Sequence, residues 1–178
     1  AASLDEANVI ARCAAELDRI VQVGHTERFN PAIAAALEIV DRPRYIVAER
    51  LGPFTGRSTD TDVILDLMIH DLDIVAHLVK SPVAEVRAVG VPVLTSEVDM
   101  ASARIEFEDG TVAQFTAGRA SLEPNRKLRF FTEERYLSVD CVQREVKSVR
   151  RLPPEAGFDW PQIRGEPVVV PKGDPLTL

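Results

Sequence analysis

The sequence predicts an α+β fold, with helices concentrated toward the amino end and a large, mostly antiparallel sheet after them. Three observations carry this prediction. Apolar residues recur at helical spacing in segments up to about Val79. They then switch to strand-like alternation, and the alternating runs are joined by short turn-forming stretches, not by further helices.

The chain opens with "AASLDEANVIARCAAELDRI", in which Ser3 and Glu6 form a capping box. Leu4, Ala7, Ile10, Ala14, Leu17 and Val21 follow at helical spacing, so a first helix begins almost at once. "VQVGH" alternates like a short strand. In "RFNPAIAAALEIV" Asn30 can cap a second helix with Pro31 at its first position, where a missing N–H costs nothing. Arg44 to Leu51 reads as a strand, and a third helix is expected from about Thr61 to Val79. Six further strands are expected in "AEVRAVGVPV", "MASARIEFE", "TVAQFTAGRA", "KLRFFTE", "RYLSVDCV" and "REVKSVRRL", with Asp109-Gly110 marking a hairpin. Beyond Leu152 lie six of the twelve prolines, which exclude a regular helix or a central strand and predict an extended surface tail.

Composition limits the function classes. With 46% apolar and 28% charged residues, the 178-residue chain has the texture of a folded globular protein. A net charge of -7 argues against nucleic acid as the main partner. No run approaches the roughly 20 apolar residues that a membrane span needs. Cys13 and Cys141 are far apart and form no CxxC, which points to a reducing, cytoplasmic setting without disulfides.

Two clusters could carry chemistry. In "ILDLMIHDLDIVAHL", Asp66, His70, Asp73 and His77 recur at steps of four, three and four, on one helical face. Asp66 and His70 are close enough to touch, and a carboxylate beside an imidazole orients it and favours its charged form. A solvated polar stripe, acid–base chemistry and a metal site all fit this spacing. The metal reading matches no specific ligand signature. In "GHTERFNPA", Glu27, Arg28 and Asn30 crowd a strand-to-helix junction where Arg28 could hold a carboxylate or phosphate. Alternatively Asn30 is a helix cap and Arg28 an ion-pair partner. No two glycines are separated by one residue, so there is no GxGxxG loop; no GxxxxGK[ST] P-loop occurs either, and no Ser or Cys sits in a nucleophile elbow such as G-x-S-x-G.

Taken together, "VQVGHTERFNPA", "VILDLMIHDLDIVAHLV" and the strands from "EVRAVG" to "LRFFTEERYLSVD" resemble the glucose–fructose oxidoreductase, inositol dehydrogenase and rhizopine-catabolism (Gfo/Idh/MocA) family. The resemblance implies an open sheet with helices on one face, preceded by a remnant of a Rossmann domain. It assigns residues 1–24 to that remnant and residues 25–178 to the substrate and oligomerisation domain. It further implies NAD or NADP as cofactor, a sugar, polyol or nucleotide-sugar substrate, and a homodimer or homotetramer formed through the sheet face.

On this chain the family pattern makes His70 the proton acceptor or donor at a sugar hydroxyl, with Asp66 assisting it. Arg28 and Asn30 fall near substrate or nicotinamide, while His25, Asp73 and His77 have no firm role. "GHTERFNPA" further resembles members that oxidise nucleotide-linked amino sugars, notably at the 3-position of UDP-N-acetylglucosamine. The family's Rossmann glycines and its Glu-Lys-Pro lysine have no counterpart here, so the chain alone is expected to be inactive. "KGDPLTL" resembles the point where the family's last helix begins, which predicts an internal fragment. The rival readings are an assembly module with a degenerate site and a metal-dependent hydrolase.

Overall fold

A computed structural model describes residues 1, 3–57, 59–154 and 161–173. The expected start of a last helix falls mainly on residues 174–178, outside the described residues. Eight strands form one open sheet in the order β2-β3-β4-β1-β5-β6-β7-β8. They span Tyr45–Leu51 (β1), Val83–Val91 (β2), Met100–Phe107 (β3), Val112–Gly118 (β4), Asn125–Phe131 (β5), Arg135–Asp140 (β6), Glu145–Leu152 (β7) and Gln162–Pro167 (β8). All neighbouring strands are antiparallel except β1 and β4, which pair in parallel. That exception follows from chain order: the β3–β4 hairpin, turned at Gly110 with φ +84°, docks beside a strand laid down long before it.

Two helices cover one face. α2 (Pro31–Leu37) buries Pro31, Ala32, Ile33, Ala35 and Ala36, and α3 (Ile69–Leu78) buries Asp71, Ile74 and Val75. Facing them are the inward residues of the central strands, including Ile46, Ala48, Phe115, Leu128 and Phe130, all at most 1% exposed. Each such large apolar side chain contributes roughly 1.5–3 kcal/mol by leaving water. The opposite face is mixed, not apolar. Tyr45, Val47, Phe131 and Tyr136 share it with the ion pairs Arg104–Glu106, Arg129–Glu49 and Lys127–Asp140.

α1 (Leu4–Glu16) is capped as expected, with Ser3 Oγ accepting from the Glu6 N–H at 3.2 Å. It buries none of its residues, and Leu4, Ile10, Leu17 and Ile20 are exposed. The strand expected at "VQVGH" does not form, because no neighbouring strand receives its backbone groups. The proline-rich tail contributes β8, an edge strand with Pro167 at its last position, where a missing donor is tolerated.

Candidate functional site

The site is assembled where the turn before α2 meets the start of α3 at one end of β1. A 3₁₀ turn, Thr26–Phe29, places His25, Glu27 and Arg28 against that helix. Asn30 then starts α2. Its Oδ1 accepts from the Ala32 N–H, while Nδ2 donates to Glu27 Oε1 at 2.9 Å and to the Cys141 carbonyl at 3.1 Å. With Asn30 buried and these bonds made internally, it supports the turn from within.

α3 does not begin as a regular helix. Over Ile64–Met68 the chain makes a π turn, in which the Ile69 N–H bonds to the Ile64 carbonyl five residues back. Asp62 Oδ1 closes its amino end by accepting from the Ile64 and Leu65 N–H groups, both at 2.9 Å. Behind it, buried Asp99 accepts from the Val93, Leu94 and Thr95 N–H groups and from Arg119 Nε; burial pushes its carboxyl up, and the hydrogen bonds from Thr95, Val93 and Leu94 prevail to hold it far below the ordinary range. Arg119 in turn donates to the Thr61 carbonyl at 2.7 Å. The lead-in to the helix is thereby tied to the β2–β3 connection.

The wide turn carries Asp66, so the four-residue step to His70 is not a plain α-helical turn. Asp66 makes no side-chain hydrogen bond or ion pair among the described residues. The expected tuning of His70 toward imidazolium by Asp66 is therefore not the arrangement found. Burial lowers the His70 pKa first, the charge of Arg50 lowers it further, and Glu27 and Asp71 only partly oppose them. The balance lowers the His70 pKa and so favours the neutral ring. His77 is exposed, and Asp73 is engaged by Arg28.

Arg28 meets Asp73 bidentately, with Nε donating to Oδ2 at 3.0 Å and Nη2 to Oδ1. This pairing raises the guanidinium pKa, chiefly through the hydrogen bonds. The Arg28 side chain is 34% exposed, so it sits at the rim with its fork occupied by Asp73.

Two buried residues that the sequence did not single out, Arg50 and Asp71, form the centre of the site together with part-buried Glu27. Arg50 donates from Nε and Nη2 to Asp71 at 3.0 and 2.7 Å, and from Nη1 to Glu27 at 2.8 Å. Burial opposes ionisation of both Arg50 and Glu27. Their pairing prevails, raising the guanidinium pKa and lowering that of the Glu27 carboxyl. His25 lies beside this centre, its ring edge-on to that of His70 with centroids 5.9 Å apart. Nδ1 of each ring is buried without a hydrogen-bond partner. A signal for the pair was present: Arg50 continues the inward set Ile46, Ala48, and Asp71 interrupts the buried side of α3 before Ile74 and Val75. Opposite charges at two inward positions can be stable only as partners.

Nearby Cys141 is buried, which pushes its thiol up to about 12 and leaves it inert as a nucleophile. Among the described residues, no group of three or more His, Cys, Asp or Glu side chains is arranged to hold a metal ion. Among the same residues, no helix is long and apolar enough to cross a membrane. Two clefts of about 410 and 590 Å³ open beside Asp41, Arg42 and Arg44, at the end of β1 remote from Arg50.

Comparison with known proteins bears on this geometry. Residues 41–138 match the model of the GFO/IDH/MocA C-terminal domain. The chain is 41% identical over 176 residues to a UDP-N-acetylglucosamine 3-dehydrogenase of Acidithiobacillus ferrooxidans, covering 97% of this chain and 55% of that enzyme. A solved structure of UDP-N-acetylglucosamine 3-dehydrogenase GnnA from the same organism superposes with a TM-score of 0.84 at 38% identity, covering 98% of this chain and 56% of that one. Levoglucosan dehydrogenase in complex with NADH has a TM-score of 0.67 at 16% identity over 83% of this chain and 47% of that one, a likeness of fold alone. The chain thus spans about half the length of the relatives it matches.

Proposed function

Because the chain belongs to the GFO/IDH/MocA family, we propose that residues 25–178 are the substrate-side domain of an NAD- or NADP-dependent dehydrogenase acting on a nucleotide-linked sugar. UDP-N-acetylglucosamine, oxidised at its 3-position, is the proposed substrate. The observation that carries the reading is the half-buried His70 at the head of α3, its ring edge-on to His25 and close to the Arg50 ion pairs, in a chain 41% identical to a dehydrogenase of that substrate. Residues 1–24 belong in this reading with the dinucleotide-binding part of the protein. The uncovered apolar side of α1 supports that assignment.

The residues described here do not themselves fit the cofactor. They contain no glycine-rich cradle for a pyrophosphate, and the amino end of α1 is closed by Ser3. A nicotinamide bound elsewhere in the intact enzyme would supply hydride acceptance, and this chain would supply the proton chemistry. His70 accepts the proton of the substrate hydroxyl, as a neutral imidazole beside a fixed positive charge can. Asp66, whose side chain makes no hydrogen bond among the described residues, orients the hydroxyl, and Arg28 lines the rim. Asn30 acts from below by shaping the turn. A homodimer or homotetramer through the mixed sheet face completes the reading.

The test is turnover of UDP-N-acetylglucosamine with NAD or NADP by the intact protein. His70→Ala is expected to lower kcat by about 100- to 10,000-fold with little change in KM, the usual contribution of a positioned acid–base group. Asp66→Asn should cost less, and His77→Ala should leave kcat within a few-fold. Near-normal turnover in His70→Ala would remove the residue from the reaction.

A further inference from the structure

We propose that Arg50 is the positioning residue of the site, holding the turn that carries His25 and the helix that carries His70 in one fixed relation. This inference rests on the reading that His70 handles the substrate proton, and it names what keeps that ring in place. Arg50 stands near the end of β1, inward-facing and 3% exposed. Its fork reaches two separate elements. Nε and Nη2 hold Asp71, the residue after His70 in α3, and Nη1 holds Glu27, two residues after His25.

A second strap lies beside the first. Arg28, the neighbour of Glu27, holds Asp73, two residues beyond Asp71. Turn and helix are therefore joined through two arginines, and the edge-on contact of His25 with His70 lies between these elements. Only a guanidinium serves at Arg50, because it is planar, permanently charged, and offers N–H groups along fixed directions to two carboxylates at once. A lysine would keep the charge and lose the geometry.

Stability alone does not account for two buried charges and a part-buried third, since apolar residues of similar volume often replace such groups without loss. Their position does account for them. The charged and titratable groups that bear on His70 are Arg50 from the sheet, Glu27 and His25 from the turn, and Asp71 from its own helix. Removing Arg50 would both release the two elements and leave two acids facing the ring.

The experiment uses the intact protein with UDP-N-acetylglucosamine and NAD or NADP, and joins pH–rate profiles to histidine-selective NMR. In Arg50→Lys, kcat should fall about 10- to 100-fold, as for a misplaced reacting group, with KM within about twofold. Its acidic limb should stay near that of the parent, while the ring-to-ring contact of His25 and His70 weakens. In Arg50→Met, the acidic limb and the His70 titration should both move to higher pH. Should Arg50→Met fail to fold, the near-isosteric Glu27→Gln, Arg50→Met, Asp71→Asn triple variant replaces it and should still lose the ring contact. A folded Arg50→Lys or triple variant with parental kcat and parental ring contact would overturn the proposal. If His70→Ala instead keeps its turnover, the reading of His70 fails, and the NMR contact in Arg50→Lys still decides for or against positioning by Arg50.

Discussion

Arg50 and Asp71 form a bidentate ion pair, 3.0 Å from Nε to Oδ2 and 2.7 Å from Nη2 to Oδ1, with both side chains at most 4% exposed. It joins an inward position of the sheet to the buried side of α3, and everything proposed for His70 depends on that junction.

Cutting this pair from one side should be expensive. Asp71→Ala leaves a guanidinium buried with only Glu27 to balance it, and is expected to lower unfolding free energy by about 3–5 kcal/mol. Arg28→Ala, at the partly exposed second strap, should cost no more than about 1 kcal/mol. Urea unfolding of the two variants checks the ranking, and equal losses would contradict the difference in burial.

Acid should destabilise the protein through His70. Its pKa is lowered in the folded state from the ordinary 6.5. The unfolded chain therefore binds the proton more readily, and stability is full above about 6.5 and lost as pH falls through the lower folded value. His70→Gln should flatten the pH dependence of melting just below 6.5. A parental slope in that window would show that the ring is not held neutral by its surroundings.

The outward sheet face should pair subunits despite its charges. Tyr45, Phe131 and Tyr136 form an aromatic group with centroids 6.0 and 5.0 Å apart, flanked by ion pairs that a matching face can complement. Sedimentation at micromolar concentration should show a dimer or tetramer, and Val47→Asp should shift it toward monomer. A parental protein that sediments as a monomer would exclude this interface.

Much of the architecture is legible in the sequence. Alternation placed β1 through β7, Asp109-Gly110 placed a hairpin, and Ser3 and Asn30 marked two helix starts, because these features depend on residues adjacent in sequence. His70 was legible as an imidazole on an apolar helix. What failed was an inference that needed a neighbour: "VQVGH" has strand alternation and no strand beside it, whereas the tail runs extended as expected, as the edge strand β8 paired with β7.

The sequence by itself determined the α+β class, the helix bearing Asp66 and His70, and the resemblance that led to the family. Only the tertiary structure decided how the site is wired. Asp66 and His70 are four residues apart, yet Asp66 lies in the π turn before α3 and makes no side-chain bond to His70 among the described residues. Arg50 and Asp71 are 21 residues apart and bond directly. The physical reason is that helical spacing describes one element, whereas a buried charge is stable only against a partner that the sheet brings to it. The same limit applies to the parallel pairing of β1 with β4, since periodicity says which face of a strand is inward and nothing about which strand lies next to it.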